Sequence, residues 1–181
     1  MQGRSFLDVA RELVQGATEA HWRATAIHTY YALMLECRDA LARWSIPISL
    51  HQNVHSAVRL CFLYAANADL KQIGLALDRW GQQRNEASYN LTVLRKFATN
   101  TLAREAITKI TAALALLDAI ESDPLRRAVA IASFPPCFSS AASAGTPAPP
   151  GLGASSAPTA GLSPRPLTTA ALAANRCAPT R

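Results

Sequence analysis

The sequence predicts an all-α protein, a single helical bundle followed by a disordered C-terminal tail. Three observations indicate this fold class. Half of the residues are hydrophobic, and alanine and leucine, both strong helix formers, dominate them. Apolar residues recur at steps of three and four over most of the first 133 positions. β-branched residues are not gathered into strand-like runs, and a chain of 181 residues has room for one ordinary domain.

The first two predicted helices are separated by Gly16. An apolar stripe indicates a helix over about residues 4–16, which Gly16 can end. Thr18 and Glu19 then open a long second helix that extends to about Trp44. Its apolar face is broad, which is typical of a central helix with several neighbours. That face consists of Trp22, Ala26, Ile27, Tyr30, Tyr31, Leu33, Met34, Leu35, Cys37, Leu41 and Trp44.

Pro47 ends the second helical pattern, because proline lacks a backbone donor and restricts the residue before it. A third helix is predicted from His51 or Asn53 to Ala66. A fourth is predicted from Leu70 to about Ser88, with Asp69 as its N-cap.

Two further helices complete the predicted bundle. The fifth begins between Val93 and Thr101 and continues to about Glu121 with a regular apolar period. Asp123 is expected to cap a short last helix, with Pro124 at its first position and an end near Ser133.

The composition changes at Phe134. The segment 134–181 holds nine of the eleven prolines and no acidic residue, and it has no helical period. Such a chain buries too little apolar surface to offset the entropy lost on ordering, so we predict a bundle over 1–133 and a disordered tail over 134–181. The tail also resembles GC-rich DNA translated out of frame, so a frameshifted version of a longer last helix is an alternative.

The charge distribution permits a polyanionic partner without requiring one. The net charge is +6, but residues 1–133 hold fifteen Lys and Arg against twelve Asp and Glu, a balance of only +3. This mild excess is compatible with RNA. No apolar run is long enough for a membrane span, and Arg4 and Asp8 interrupt any signal peptide, so a cytoplasmic protein with no membrane association is expected.

The metal and redox signals are weak. The cysteines at 37 and 61 lie in apolar helical patterns and are interpreted as reduced core residues. His51 and His55 have a zinc-compatible i, i+4 spacing, but no third ligand candidate accompanies them. We therefore expect neither a metal nor a cofactor.

Two segments carry a resemblance to a known family. Residues 26–33, Ala-Ile-His-Thr-Tyr-Tyr-Ala-Leu, are followed by Arg38-Asp39-Ala40-Leu41. Residues 84–90 read Arg-Asn-Glu-Ala-Ser-Tyr-Asn at the end of a later predicted helix. In this order both segments resemble the HEPN family (higher eukaryotes and prokaryotes nucleotide-binding), over roughly residues 5–122. The resemblance implies an up-and-down bundle of four to five helices, usually a homodimer and often a metal-independent ribonuclease.

The family's catalytic motif is an Arg followed, after four to six residues, by a His, with a polar residue directly after the Arg. Arg84 and Asn85 match its beginning, but Tyr89 stands at the first possible His position, and neither Asn90 nor Leu91 is a His. Cleavage of RNA without a metal requires a base for the 2′-hydroxyl, and a tyrosine with a pKa of about 10 is a poor one. The candidate catalytic residues are therefore Arg84, Asn85 and Tyr89, in a centre expected to be degenerate.

Other interpretations of these residues stay open. Arg84 can cap a helix C-terminus, where positive charge is favourable, and Tyr30 and Tyr31 are expected to be core or dimer residues. Arg84 and Tyr89 lie about 140° apart around an ideal helix, so a joint site requires the helix to end between them or a dimer to unite two copies.

The sequence thus predicts a HEPN-like dimerising module that binds RNA or a partner protein, with a degenerate ribonuclease centre. Such modules often work with a nucleotidyltransferase-type partner protein in toxin–antitoxin or defence systems. The alternatives are an active metal-independent endoribonuclease with a substituted base, and a purely structural helical adaptor.

Overall fold

A computed structural model of the chain describes residues 3–48, 53–90, 92 and 95–135. Within these ranges it contains six α-helices, one short 3₁₀ helix and no strand, so the all-α bundle is confirmed. None of the described helices is long and apolar enough to cross a membrane. The α-helices are α1 (Arg4–Leu13), α2 (Glu19–Arg43), α3 (Val54–Tyr64), α4 (Ala68–Tyr89), α5 (Thr101–Ser122) and α6 (Pro124–Ala132), and the 3₁₀ helix between α4 and α5 covers Arg95–Phe97.

The helix α2 lies at the centre of the bundle, as its broad apolar face predicts. It packs against α1, α3, α4 and α5. Its inward residues, among them Leu33, Cys37 and Leu41, are fully buried. The remaining core is built mainly by α4 and α5, where Trp80 and Ile110 are also fully buried. Burial of these side chains is the main favourable contribution to folding.

Side-chain caps begin α2, α3, α4 and α6, and one predicted cap is wrong. Asn67, not Asp69, caps α4: its Oδ1 accepts from the backbone N–H groups of Asp69 (3.0 Å) and Leu70 (3.1 Å). Asn67 is extended, so its amide faces these N–H groups, whereas Asp69 already lies in the first turn. There its carboxylate pairs with Arg126. The predicted cap Asp123 is confirmed at α6, with Pro124 at the first position.

The first helix ends earlier than predicted, at Leu13 instead of near Gly16. The N–H of Gly16 donates to the carbonyl of Leu13 in a turn after the helix (3.0 Å). Gly16 is required there by a close approach, because a Cβ atom at this position would lie 2.2 Å from the ring of His21. The side chain of Thr18 accepts from the N–H of His21 and begins α2.

The bundle extends beyond the predicted boundary at residue 133 to include Phe134. This side chain is only 6% exposed. Its ring centroid lies 6.1 Å from that of Trp44 and 6.0 Å from that of Phe62, so three aromatic rings pack together at this end of the core. The rest of the predicted tail, residues 136–181, lies outside the described residues.

A pair of truncated chains tests this boundary. A chain ending at Pro135 should keep the thermal midpoint of the full chain within a few degrees, because the removed composition favours no packed structure. Phe134→Ala in that shorter chain should lower the free energy of unfolding by about 2 kcal/mol or more, since a buried aromatic is lost. Urea unfolding followed by circular dichroism measures both. A large loss of stability on the truncation itself would contradict the first expectation.

Candidate functional site

A polar pocket of about 230 Å³ lies where α2, α3 and α4 meet. Tyr30 and Gly81 line it together with charged and amide side chains. It contains two of the three predicted catalytic residues, Arg84 and Asn85. The complete lining is Tyr30, Asn53, His55, Ser56, Arg59, Leu77, Asp78, Gly81, Gln82, Arg84 and Asn85.

The guanidinium of Arg84 is held by neutral partners. Its Nη2 donates to the hydroxyl of Tyr31, and its Nη1 donates to Oδ1 of Asn85 (3.0 Å). Its Cζ lies 5.2 Å from the ring centroid of Tyr31, a cation–π contact. Its Nε is buried and has no hydrogen-bond partner among the described residues. Arg84 therefore keeps its full positive charge and part of its donor capacity.

The environment of Arg84 also favours its charged form. Burial acts to lower the pKa of Arg84, but the hydroxyl of Tyr31 and the neighbouring Tyr89 outweigh that effect and raise it above its ordinary value. Among the described residues, no carboxylate forms an ion pair with this guanidinium. Its most suitable additional partner is therefore an anion from outside the chain.

Arg23, and not Arg84, caps the C-terminus of α4. Its Nη1 donates to the carbonyls of Glu86 (3.2 Å), Ala87 (3.2 Å) and Asn90 (2.7 Å). Its Nη2 donates to the carbonyl of Thr92 (3.0 Å). Side chains on a helix point back towards the N-terminus, so an arginine one turn before the helix end is directed away from the last carbonyls. The capping interpretation of Arg84 therefore lacks the contacts that it requires.

Tyr89 lies at the rim of the site and not inside it. The side chain is 74% exposed, and its ring centroid lies 5.6 Å from Cζ of Arg84. The expectation that the two residues meet only at a helix end or across a dimer is wrong, since α4 continues through Tyr89. Both side chains are long enough to bridge the angle between their Cα atoms. An exposed ring beside a guanidinium offers a flat surface for stacking.

His55 is the functional candidate that sequence reasoning missed as part of this site. Its Nδ1 is hydrogen-bonded to the hydroxyl of Tyr30 (3.0 Å), and the two rings stack with centroids 5.8 Å apart. The ring of Tyr31 meets it edge to face at 5.8 Å. Tyr31 thus touches both His55 and Arg84, which joins the three helices in one network.

Burial, together with the charge of Arg84, lowers the pKa of His55 below its ordinary value. Burial likewise raises the pKa of Tyr30, so its phenol stays protonated at neutral pH. The site therefore presents a neutral imidazole beside a permanently charged guanidinium. The only sequence signal that involved His55 was its i, i+4 spacing with His51, and His51 lies outside the described residues. Within the described ranges no cluster of three or more His, Cys, Asp or Glu side chains is placed to hold a metal.

A second arginine, Arg59, also lines the pocket. Arg59 on α3 forms an ion pair with Asp78 on α4, whose other oxygen accepts from Nε2 of Gln82 (3.2 Å). The lining therefore holds two guanidiniums and one carboxylate, and His55 is neutral. The pocket carries a net positive charge. Since Arg59 is paired with Asp78, the unpaired charge is that of Arg84.

The predicted core positions agree with the structure. Tyr30 is buried, and Tyr31 packs against the core while its hydroxyl accepts from Arg84. Cys37 and Cys61 are both buried, and burial raises the pKa of the Cys37 thiol well above its ordinary value. Cys37 is therefore unreactive at neutral pH.

Comparison of the chain with models of known protein families, with curated proteins and with solved structures finds no match. Membership of the HEPN family stays a prediction from the two sequence motifs. The chemistry of the pocket is therefore the basis on which a function is proposed.

Proposed function

We propose that the protein binds single-stranded RNA and holds one backbone phosphate at Arg84. One observation supports the proposal. The guanidinium of Arg84 lies in a pocket of net positive charge, and hydrogen bonds to Tyr31 and Asn85 orient it without an ion pair. Arginine in a fixed orientation is well suited to phosphate, because its planar N–H groups match two phosphate oxygens.

The exposed ring of Tyr89 favours single-stranded RNA over a simple anion. It lies next to Arg84 at the mouth of the pocket. A phosphate on the guanidinium brings the neighbouring base close to this ring. Alternating cationic and aromatic contacts are typical of single-strand recognition, in which bases stack on exposed aromatic side chains. The mild positive charge of the bundle is compatible with this mode.

The sequence resemblance to the HEPN family adds a proposal about assembly. In this proposal the protein is a homodimer, and a nucleotidyltransferase-type protein is its further partner. The helix α4 exposes the large apolar side chains Leu75 and Tyr89, whereas the large apolar side chains of α2 are buried or partly buried within the bundle. The helix α4 is therefore the better candidate for the dimer surface than α2.

A salt titration of three variants tests RNA binding. With a dye-labelled single-stranded RNA of mixed sequence, Arg84→Ala should weaken binding by roughly tenfold and reduce the slope of log K against log salt by about 1, because one phosphate contact is lost. Tyr89→Ala should also weaken binding, by about 1–3 kcal/mol, but should leave the salt slope unchanged because stacking releases no counterions. Fluorescence anisotropy measures both quantities.

Arg79→Ala is the matched control. Arg79 lies on the same helix, but its guanidinium pairs with Glu105 and it does not line the pocket. Its removal lowers the net charge equally and should change binding much less than Arg84→Ala. Equal effects of the two variants would show a non-specific charge effect and contradict the pocket. Absence of RNA binding by the unmodified protein would favour the structural adaptor.

A further inference from the structure

The pocket holds a carboxylate and a second guanidinium side by side, in addition to the guanidinium of Arg84. Asp78 on α4 and Arg59 on α3 form an ion pair, and both side chains line the pocket. We propose that this pair binds the Watson–Crick edge of an unpaired guanine, so that the protein selects guanine nucleotides in single-stranded RNA. This inference rests on the proposed RNA binding, because the phosphate of the selected nucleotide is the one held at Arg84.

Each member of the pair has unused hydrogen-bonding capacity. Nη1 of Arg59 donates to Oδ1 of Asp78, and Nε2 of Gln82 donates to Oδ2 (3.2 Å). A carboxylate has about four lone-pair sites, so each oxygen of Asp78 can accept once more. Within the part of the chain that the structure describes, Nε and Nη2 of Arg59 have no hydrogen-bond partner. The side chains are 31% and 36% exposed, so a ligand can reach acceptors and donors at one place.

Guanine is the base whose edge matches this arrangement. Its N1–H and its 2-amino group are adjacent donors that fit the two oxygens of a carboxylate, and its O6 accepts from a guanidinium. Adenine and cytosine present one donor next to an acceptor, and uracil presents one donor between two acceptors. Each of these bases would therefore place an acceptor against the carboxylate. A site built to pair polar groups discriminates strongly against a ligand that leaves them unpaired.

The spacing of Asp78 and Arg84 suits one nucleotide. The two residues are six positions apart on α4, which is about 9 Å along an ideal helix. That separation is comparable with the distance from the phosphate of a nucleotide to the Watson–Crick edge of its purine. The pocket has a volume of about 230 Å³, room for one base, and Gly81 has no side chain to occupy it. The base on the other side of the phosphate then lies beside Tyr89.

A series of oligonucleotides that differ in one base tests this selection with the full chain. Each is a dye-labelled oligouridylate whose central base is guanine, adenine, cytosine or hypoxanthine, and fluorescence anisotropy gives the affinities. The wild type should bind the guanine oligonucleotide about tenfold more tightly than the adenine and cytosine ones, as expected for a bidentate base contact. Hypoxanthine lacks only the 2-amino group, so its affinity should be lower than that of guanine by about fivefold.

Asp78→Asn separates base recognition from a purely structural ion pair. The substitution replaces one acceptor oxygen by an NH₂ donor, which opposes the 2-amino group of guanine. The variant should therefore bind the guanine oligonucleotide no more tightly than the hypoxanthine one. Arg84→Ala should weaken the binding of every oligonucleotide but keep the preference for guanine, because it removes only the phosphate contact.

Asp69→Asn is the matched control. Asp69 is also on α4 and forms an ion pair of similar exposure with Arg126, but it does not line the pocket. This variant should keep the wild-type preference for guanine. Circular dichroism of both aspartate variants shows whether the bundle is folded, and the base series with the wild type tests the selection without any variant.

Free guanosine 5′-monophosphate presents the same base and phosphate as a guanine nucleotide in RNA. It should displace the labelled oligonucleotide only weakly, because it brings no second base to Tyr89. Binding of the free nucleotide at least as tight as that of the oligonucleotide would overturn RNA as the source of the guanine.

The remaining failures are distinct from one another. RNA that binds equally well whichever base is central would overturn guanine selection and leave phosphate binding at Arg84 standing. A preference for guanine that survives Asp78→Asn unchanged would overturn the role of the ion pair. No binding of any oligonucleotide by the wild type would remove the proposed function and this inference together.

Discussion

Gly74→Ala should be among the most destabilising single substitutions in the bundle, with a loss of about 3 kcal/mol or more in the free energy of unfolding. A Cβ atom at this position would lie 2.5 Å from the backbone N of Leu63 and 2.7 Å from the carbonyl carbon of Phe62. These are backbone atoms of α3 and its close packing partner, so no side chain can rotate away. The two helices must separate, although alanine itself favours helix by about 1 kcal/mol over glycine.

Gly81 on the same helix is the matched control. A Cβ atom there would lie 3.4 Å from Cε2 of Tyr30, an ordinary contact. Gly81→Ala should therefore leave stability unchanged or raise it by about 0.5–1 kcal/mol through helix propensity. Urea unfolding of both variants provides the comparison. Equal stability of the two would show that α3 and α4 tolerate a wider separation than the close contact indicates.

The close contact at Gly74 matters for the pocket as well as for stability. α3 carries His55 and Arg59, and α4 carries Asp78 and Arg84, so the pocket exists only if these helices keep their separation. A shift of one helix by the space of a methyl group would alter the distances between imidazole and guanidinium. The glycine is thus part of what positions the site.

The helices were predictable because their signals are local. The period of the apolar residues, the break at Pro47 and the cap at Asp123 each involve residues close in sequence, and the structure confirms the elements that they predict. The central position of α2 was also predictable, because an apolar face that wide requires several neighbours. The errors concern the ends of the helices. Asn67 and Asp69 are both residue types that favour an N-cap, and only the backbone geometry shows that Asn67 caps α4.

The site was predictable only in part, because it unites residues that are far apart in sequence. Arg84 and Asn85 are adjacent, and their pattern was visible. His55 lies 29 positions before Arg84, and nothing in the spacing of α3 indicates which of its faces meets α4. The partner of Arg84, Tyr31, lies 53 positions away. Such contacts follow from the packing of helices and not from any local pattern.

The second large effect is expected at Arg23, which is 9% exposed and fixes the end of α4. Arg23→Met keeps an unbranched apolar side chain but removes the donors to four backbone carbonyls, the charge paired with Glu19 and the guanidinium over the ring of Phe97. Since unpaired buried polar groups cost about 1–3 kcal/mol each and some of these carbonyls will find water, the total loss should be about 3 kcal/mol. Chemical denaturation measures it.

The comparison for Arg23 is Arg79→Met. Arg79 pairs with Glu105 on the surface and contacts no carbonyl, so its loss should cost less than about 1 kcal/mol. A similar loss in both variants would contradict the capping role of Arg23.

In Arg23→Met, amide hydrogen exchange should increase at residues 86–90, at the end of α4, before it increases elsewhere in the helix. Tyr89 lies within that segment, so RNA affinity should fall even where the bundle stays folded, while Arg84, one turn earlier, keeps its contacts with Tyr31 and Asn85. Loss of the stacking contact without loss of the phosphate contact would leave the salt slope of binding unchanged, which distinguishes this variant from Arg84→Ala.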